Sequence, residues 1–179
     1  KKGYEGDIII PETVVLKKVA YRVTSIGEKA FEFCSSLISI VIPDGVTSIG
    51  GRAFSGCSSL SSIVIPKSVK SISDDAFVGC SSLTSIVVVD GNTVYDSREK
   101  CNAIIETGTN TLIRGCQISI IPNGITSIGK NAFGICNTLI SIIIPDGVTS
   151  IEAEAFRYCE SLKSITIPAS VENIGGLAF

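Results

Sequence analysis

The residues whose spacing suggests chemistry in this chain carry sulfur and hydroxyl groups. Seven cysteines are present and no histidine. Five of the thiols sit in one small-residue motif: FCSSL around Cys34, GCSSL around Cys57 and Cys80, ICNTL around Cys136 and YCESL around Cys159. A thiol beside paired hydroxyls resembles a nucleophile in a tight turn. A nucleophile needs a base to take its proton, however, and without His neither a Ser-His-Asp triad nor a Cys-His pair can be built. Zinc sites containing His are excluded for the same reason. All-thiolate ligation would need C-x₂₋₄-C pairs, and no two cysteines are that close. No metal and no cofactor is expected. Ser97 to Lys100 and Ser127 to Lys130 match Ser-x-x-Lys, but neither carries a companion motif, and Ser127 belongs to a recurring TSIG segment.

The elements that would position these groups follow from composition and period. Hydrophobic residues make up 45% of the 179 and charged ones 18%, which disfavours disorder. Ile, Val, Leu and Phe dominate, with no Met or Trp, and the β-branched excess favours strands. A net charge of −2 leaves no basic footprint for nucleic acid and no polybasic membrane patch. No apolar run approaches the roughly 18 residues of a membrane span. The chain opens on Lys1 and shows no signal peptide, so it is expected to be a trimmed fragment.

Ala-Phe pairs begin at 30, 53, 76, 132, 155 and 178, in steps of 23, 23, 56, 23 and 23. Ile26, Ile49, Ile72, Ile128, Ile151 and Ile174 keep the same register, as do the five motif cysteines and Pro43, Pro66, Pro122, Pro145 and Pro168. The organising fact is therefore a 23-residue repeat in two phased blocks. One unit reads IVIPDGVTSIGGRAFSGCSSLSS. Its SIVIP segment is a short strand that Pro ends, DG is a turn, and TSIG is a second brief extended piece. RAFSGC is too short for an independent helix and suits one 3₁₀ or helical turn. Period-two alternation turns Ile63 and Ile65 inward with Val46, Ile49, Ala53, Phe54, Cys57 and Leu60. One rung cannot cover its own faces, so stability must be shared along a stack.

The pattern IPDGVTSIGGRAFSGCSSLSSIVIP resembles the BspA-type leucine-rich repeat of bacterial and protist surface proteins. That resemblance implies a β-rich repeat solenoid: a curved right-handed stack with a parallel sheet on its concave face and short 3₁₀ or helical turns elsewhere. It also implies an extracellular or cell-surface location and adhesion to host or matrix proteins. The expected organisation is one solenoid: an N-terminal capping unit with a hairpin over 1–29, regular repeats over 30–89, an irregular repeat with an inserted β-hairpin over 90–121, and regular repeats over 122–179 that stop mid-repeat. The open end at Phe179 is expected to continue or to contact something.

In the irregular repeat, CNAIIETGTNTLIRGC reads as a hairpin. A type II′ turn on Gly108 and Thr109 would pair Ile105 with Leu112, Ile104 with Ile113 and Cys101 with Cys116. Given the extracellular setting that the resemblance implies, a Cys101–Cys116 disulfide is one expectation; two packed thiols are the other. The motif cysteines are expected to be buried and reduced. In the capping unit, VVLKKVAY suggests a hairpin turning at Lys17 and Lys18.

Outward strand positions stack as Ser39, Ser62, Ser85, Ser141 and Ser164 beside Val41, Val64, Val87, Ile143 and Thr166. They form the first candidate protein-binding surface, since solenoids commonly bind through extended concave faces. The irregular segment with Tyr95, Asp96, Arg98, Glu99 and Lys100 is the second. Carbohydrate binding is disfavoured by the absence of Trp. A passive spacer displaying another domain is the alternative to a binding module, and ordinary β-propensity would equally explain the outward valines.

Overall fold

Each 23-residue unit makes one circuit of a solenoid, and like residues stack on like. The structure, a computed structural model, describes residues 3–179. Along one side run β1 (Gly6–Ile9), β5 (Leu37–Val41), β7 (Ser62–Ile65) and β9 (Ser85–Val88); the first three end one or two residues before a proline, and β9 before Asp90-Gly91. After the proline turn come two-residue strands, β4 (Ser25–Ile26), β6 (Ser48–Ile49) and β8 (Ser71–Ile72), parallel and in register at the 23-residue step. The Ala-Phe segment then turns the chain back to the Cys and Leu of the motif.

All eight inward positions of the repeat are buried: Val46, Ile49, Ala53, Phe54, Cys57, Leu60, Ile63 and Ile65 are each at most 2% exposed. Phe31, Phe54 and Phe77 form a stack with centroids 5.3 and 5.2 Å apart and rings within 5° of parallel. Phe133, Phe156 and Phe179 repeat it at 5.1 and 5.6 Å. Tyr4 closes the first stack with its ring 5.0 Å from Phe31. Each large side chain buried this way contributes about 1.5–3 kcal/mol. Rungs are also joined by backbone bonds; the Phe31 N–H donates to Ala53 and the Phe54 N–H to Ala76, both at 2.8 Å.

The Ala-Phe segments are not helical. They are consecutive turns, because Arg52, Asn131 and Glu154 just before the pair, and Phe33, Gly56, Gly79, Ile135 and Tyr158 just after it, have positive φ. A left-handed residue at each end stops helical hydrogen bonding from propagating. The only 3₁₀ turn among the described residues is Arg98–Lys100.

The irregular repeat is a wedge. On the short-strand side it adds β10 (Tyr95–Asp96) and β11 (Ile104–Glu106) beside β12 (Thr111–Arg114). These continue through β13 (Ser127–Ile128), β14 (Ser150–Ile151) and β15 (Asn173–Ile174) as one six-stranded sheet. On the Ala-Phe side it is contracted: the chain takes eight residues from Ile49 to Cys57 but only four from Leu112 to Cys116. Gly115 occupies the Phe register, its N–H donating to Ala132 at 2.9 Å, and a Cβ there would run into the Phe133 ring. Arg114, only 3% exposed, replaces donors of the missing turn. Its Nη1 donates to the carbonyls of Asn131 (3.0 Å) and Gly134 (3.3 Å), while its Nε has no partner. The core divides here into two clusters, one over the first block and one over the second.

Within the inserted hairpin Ile105 pairs with Leu112 as expected, but the turn differs. Residues 107–110 form the loop, the left-handed position is Asn110 (φ 52°), and Gly108 does not adopt positive φ. A register shift then pairs Ile104 with Arg114 in place of Ile113. The shift accompanies the inward placement of the Arg114 guanidinium.

At the front, β2 (Thr13–Leu16) and β3 (Val19–Arg22) form the expected hairpin, with both Lys17 (φ 50°) and Lys18 (φ 65°) left-handed as in a type I′ turn. Every residue of both strands is exposed. At the other end Ile174 is exposed.

Candidate functional site

The strand side carries the first candidate surface. Val41, Val64, Val87 and Ile143 are 54, 49, 44 and 84% exposed, while their neighbours Ile40, Ile42, Ile63 and Ile65 are buried. Pleating separates the two sets. Register joins the row: Ile9 pairs with Val41, Val64 with Val87, and Ile143 with Thr166. Ile9, 75% exposed, belongs to this row and was not singled out from the sequence. Its signal was present, since Ile9 stands two residues before Pro11 just as Val41 stands two before Pro43. Ser39, Ser62 and Ser85 are half-buried beside the row, and Ser39 donates to Asp7 Oδ1 at 2.6 Å. Ser141, Ser164 and Thr166 are exposed.

This face is less regular than the parallel sheet that the resemblance implies. The first block has four strands there in two separate ladders, and the second block contributes a single β-bridge. The ladder lapses at the irregular turn, where residues 117–121 form no strand, so the second block has no neighbouring strand to extend.

The irregular segment is largely structural. Tyr95 is 4% exposed, and its hydroxyl accepts the Ile72 N–H at 3.0 Å. Burial raises its phenol above the ordinary range. Tyr95 is thus turned away from any surface partner, against its expected role. Asn92 secures the same turn, donating to the Pro66 and Val69 carbonyls and accepting the Val94 and Tyr95 N–H groups. Arg98 is held by Asp96, with its Nη2 2.9 Å from Oδ2, and by Asn110. Lys100 and Glu99 are exposed, and both have positive φ.

Cys101 and Cys116 are free, buried thiols, and the expected disulfide between them is not formed. They belong to different core clusters, and each Sγ faces a backbone carbonyl, Ala103 for Cys101 and Asn102 for Cys116. The hairpin strands end before the cysteines, and the register shift at Ile104 moves them out of opposition.

The motif thiols form a ladder of donors. Cys57 donates to the Phe31 carbonyl at 3.1 Å, and Cys80 and Cys159 donate to Phe54 and Phe133 at 3.2 Å. Burial pushes Cys57 up to about 12 and Cys80 and Cys159 up to about 11, so the thiolate is scarce near neutrality. No group of three or more potential metal ligands is assembled among the described residues. Among the described residues no helix is long and apolar enough to cross a membrane.

The repeat matches the BspA type leucine rich repeat region in six copies over residues 12–105 and 114–179. A leucine-rich cell surface protein from Faecalibacterium prausnitzii is similar at 31% identity and a TM-score of 0.75, over 95% of this chain and 43% of its own. A leucine-rich repeat protein from Bacteroides ovatus is 31% identical with a TM-score of 0.57, over 94% of this chain and 45% of its own. The chain thus spans less than half the length of either. The pneumococcal vaccine antigen PcpA, 16% identical with a TM-score of 0.62 over 97% of this chain and 69% of its own, shares the fold. No curated protein matches. Repeat register, stacked core and similarity agree: the chain belongs to the BspA-type leucine-rich repeat family.

Proposed function

We propose that this chain is a non-enzymatic protein-binding module, secreted or displayed at the cell surface, whose ligand is a host or matrix protein. The observation that carries the reading is the outward row Ile9, Val41, Val64 and Val87 on hydrogen-bonded strands, with Ile143 at an isolated bridge beyond them, all large aliphatic side chains left in solvent. Contiguous exposed apolar surface on a soluble domain marks interaction sites more often than chance. The surface setting is supported by the description of the Faecalibacterium relative as a cell surface protein. The lack of catalysis is supported by thiols held protonated and by the absence of a histidine base.

Capture of purified matrix proteins on immobilised chain, repeated with Val41→Lys, Val64→Lys and Val87→Lys combined, tests the face. Binding by the unsubstituted chain and a fall of at least about tenfold in the triple variant is the expected result, since each lysine buries charge in the contact. Equal capture by both would remove the strand face as the site. The absence of any capture would favour the spacer reading, for which the uniform serine column beside the valines is the supporting feature.

A further inference from the structure

The wedge has a consequence on the side opposite its added strands. There the contracted turn removes one Ala-Phe segment, and the two regular blocks close on each other. Thr138 Oγ1 donates across the gap to the Ser81 carbonyl at 3.2 Å, and a Cβ on Gly79 would lie 4.0 Å from Ile135 Cγ2. A cavity of about 500 Å³ follows, with Phe33, Arg52, Asp75 and Val78 from the first block facing Ile135 and Arg157 from the second. A second cavity of about 290 Å³ shares Asp74 and Lys130 with it and extends it towards Glu106 and Glu152.

The joined cleft is anionic at its middle. Five carboxylates line it, Asp74, Asp75, Glu106, Glu152 and Glu154, against three cations, Arg52, Lys130 and Arg157. The arginines are already engaged at the two ends. Arg52 reaches Glu32 at 3.4 Å and Asp75 at 3.9 Å; Arg157 reaches Glu154 at 2.6 Å and lies over the Tyr158 ring. Lys130 alone faces Asp74, Glu106 and Glu152, and Asp74 makes no hydrogen bond or ion pair among the described residues. Partial desolvation raises the Asp74 carboxyl, and Glu152, Asp75 and Glu106 add to the rise while Lys130 opposes it.

Three apolar side chains interrupt the charged and polar lining. Phe33, 72% exposed, Val78 and Ile135 project into the cleft. The repeats supply an internal control. Gly56 and Gly79 hold the left-handed turn at this register, yet Phe33 (φ 58°) and Ile135 (φ 56°) hold it with bulky side chains. The fold accepts glycine here, so these two side chains are not required by the backbone.

We propose that this cleft is a second binding site, which takes an extended segment of a protein partner carrying basic side chains alternating with apolar ones. The basic groups would meet Asp74, Glu106 and Glu152, and the apolar ones Phe33, Val78 and Ile135. Dimensions agree. The five stacked turns that line the cleft span roughly 20 Å at the strand spacing, a length that about six extended residues cover. The site is separate from the valine face, so its test stands whether or not that face binds.

The probe is a fluorescein-labelled heptapeptide alternating lysine and valine, with a glutamate-for-lysine counterpart and spermine as comparators, read by anisotropy. The lysine peptide is expected to bind, more tightly at low salt, and the glutamate peptide to fail. Asp74→Lys, or Glu106→Lys on the facing wall, should weaken binding at least about tenfold. Asp146→Lys, the same charge change outside the cleft, should leave it unchanged. Circular dichroism melts establish that each variant folds. The proposal is overturned by no binding of the lysine peptide, or by equal losses in Asp74→Lys and Asp146→Lys. It is also overturned if spermine displaces the peptide at equal concentration, which would make the cleft a cation sink in which Phe33, Val78 and Ile135 play no part.

Discussion

The cysteines show how context changes a residue. In isolation the motif thiols sit beside hydroxyls; in the stack they are small fillers, and those of Cys57, Cys80 and Cys159 donate to a carbonyl one rung away. Their linkage to stability has a definite sign. Burial raises Cys57 from 9.0 to about 12 and Cys80 and Cys159 to about 11, so the folded state holds neutral thiols that the unfolded chain would ionise earlier. Their contribution is full below the ordinary thiol range, declines as pH rises above about 9, and is lost as pH passes through 11 to 12. Urea midpoints are therefore expected to fall from pH 9 upward. The fall should be shallower in a variant with Cys57→Ala, Cys80→Ala and Cys159→Ala, which isolates the contribution of the thiols. An identical slope in both proteins would contradict this account.

At the scale of the element, the N-terminal hairpin is the least supported piece of structure. It is a two-stranded unit with all eight strand residues exposed, a geometry that is marginal in water. Its type I′ turn holds two lysines at positive φ, each at a cost of about 1–2 kcal/mol that glycine would largely avoid. Lys18→Gly is accordingly expected to stabilise the hairpin by about 1 kcal/mol. Slower amide exchange in Val14 and Tyr21, with the rungs beyond Ser39 unchanged, would show it; faster exchange would refute it. The hairpin could be read from VVLKKVAY even though its turn residues are unfavourable, because the strands were marked by β-propensity. The inserted hairpin was read less completely. Its Ile105–Leu112 pair was legible, but the loop type and the shift at Ile104 depend on where Arg114 goes, which no local pattern encodes.

For the whole molecule the decisive feature is the joint between blocks. Rungs contact chiefly their neighbours, so cooperation between blocks passes mainly through the irregular repeat, with the Thr138–Ser81 hydrogen bond as a direct contact beside it. There Gly115 leaves room for the Phe133 ring, and Arg114 supplies donors for carbonyls that a regular turn would have satisfied. Arg114→Ala removes charged hydrogen bonds, an effect on the order of 2 kcal/mol. The expected consequence is uncoupling as well as destabilisation: urea unfolding should separate into two transitions, with amides of 30–89 and 122–179 exchanging independently. A single transition shifted to lower urea would mean that the blocks communicate by another route.

The sequence by itself determined the period, the inward set, the fold and the family. The reason is that a repeat writes each core position several times, and translation at a fixed step places like on like without further information. Tertiary structure alone decided what happens where translation fails. Tyr95 went inward because β8 lacked a neighbour for the Ile72 N–H, Cys101 and Cys116 parted into different clusters, and Asp74 came to face Lys130 across a missing turn. Each of these depends on contacts between segments whose spacing follows no period, and such contacts are set by the packing of the two blocks together.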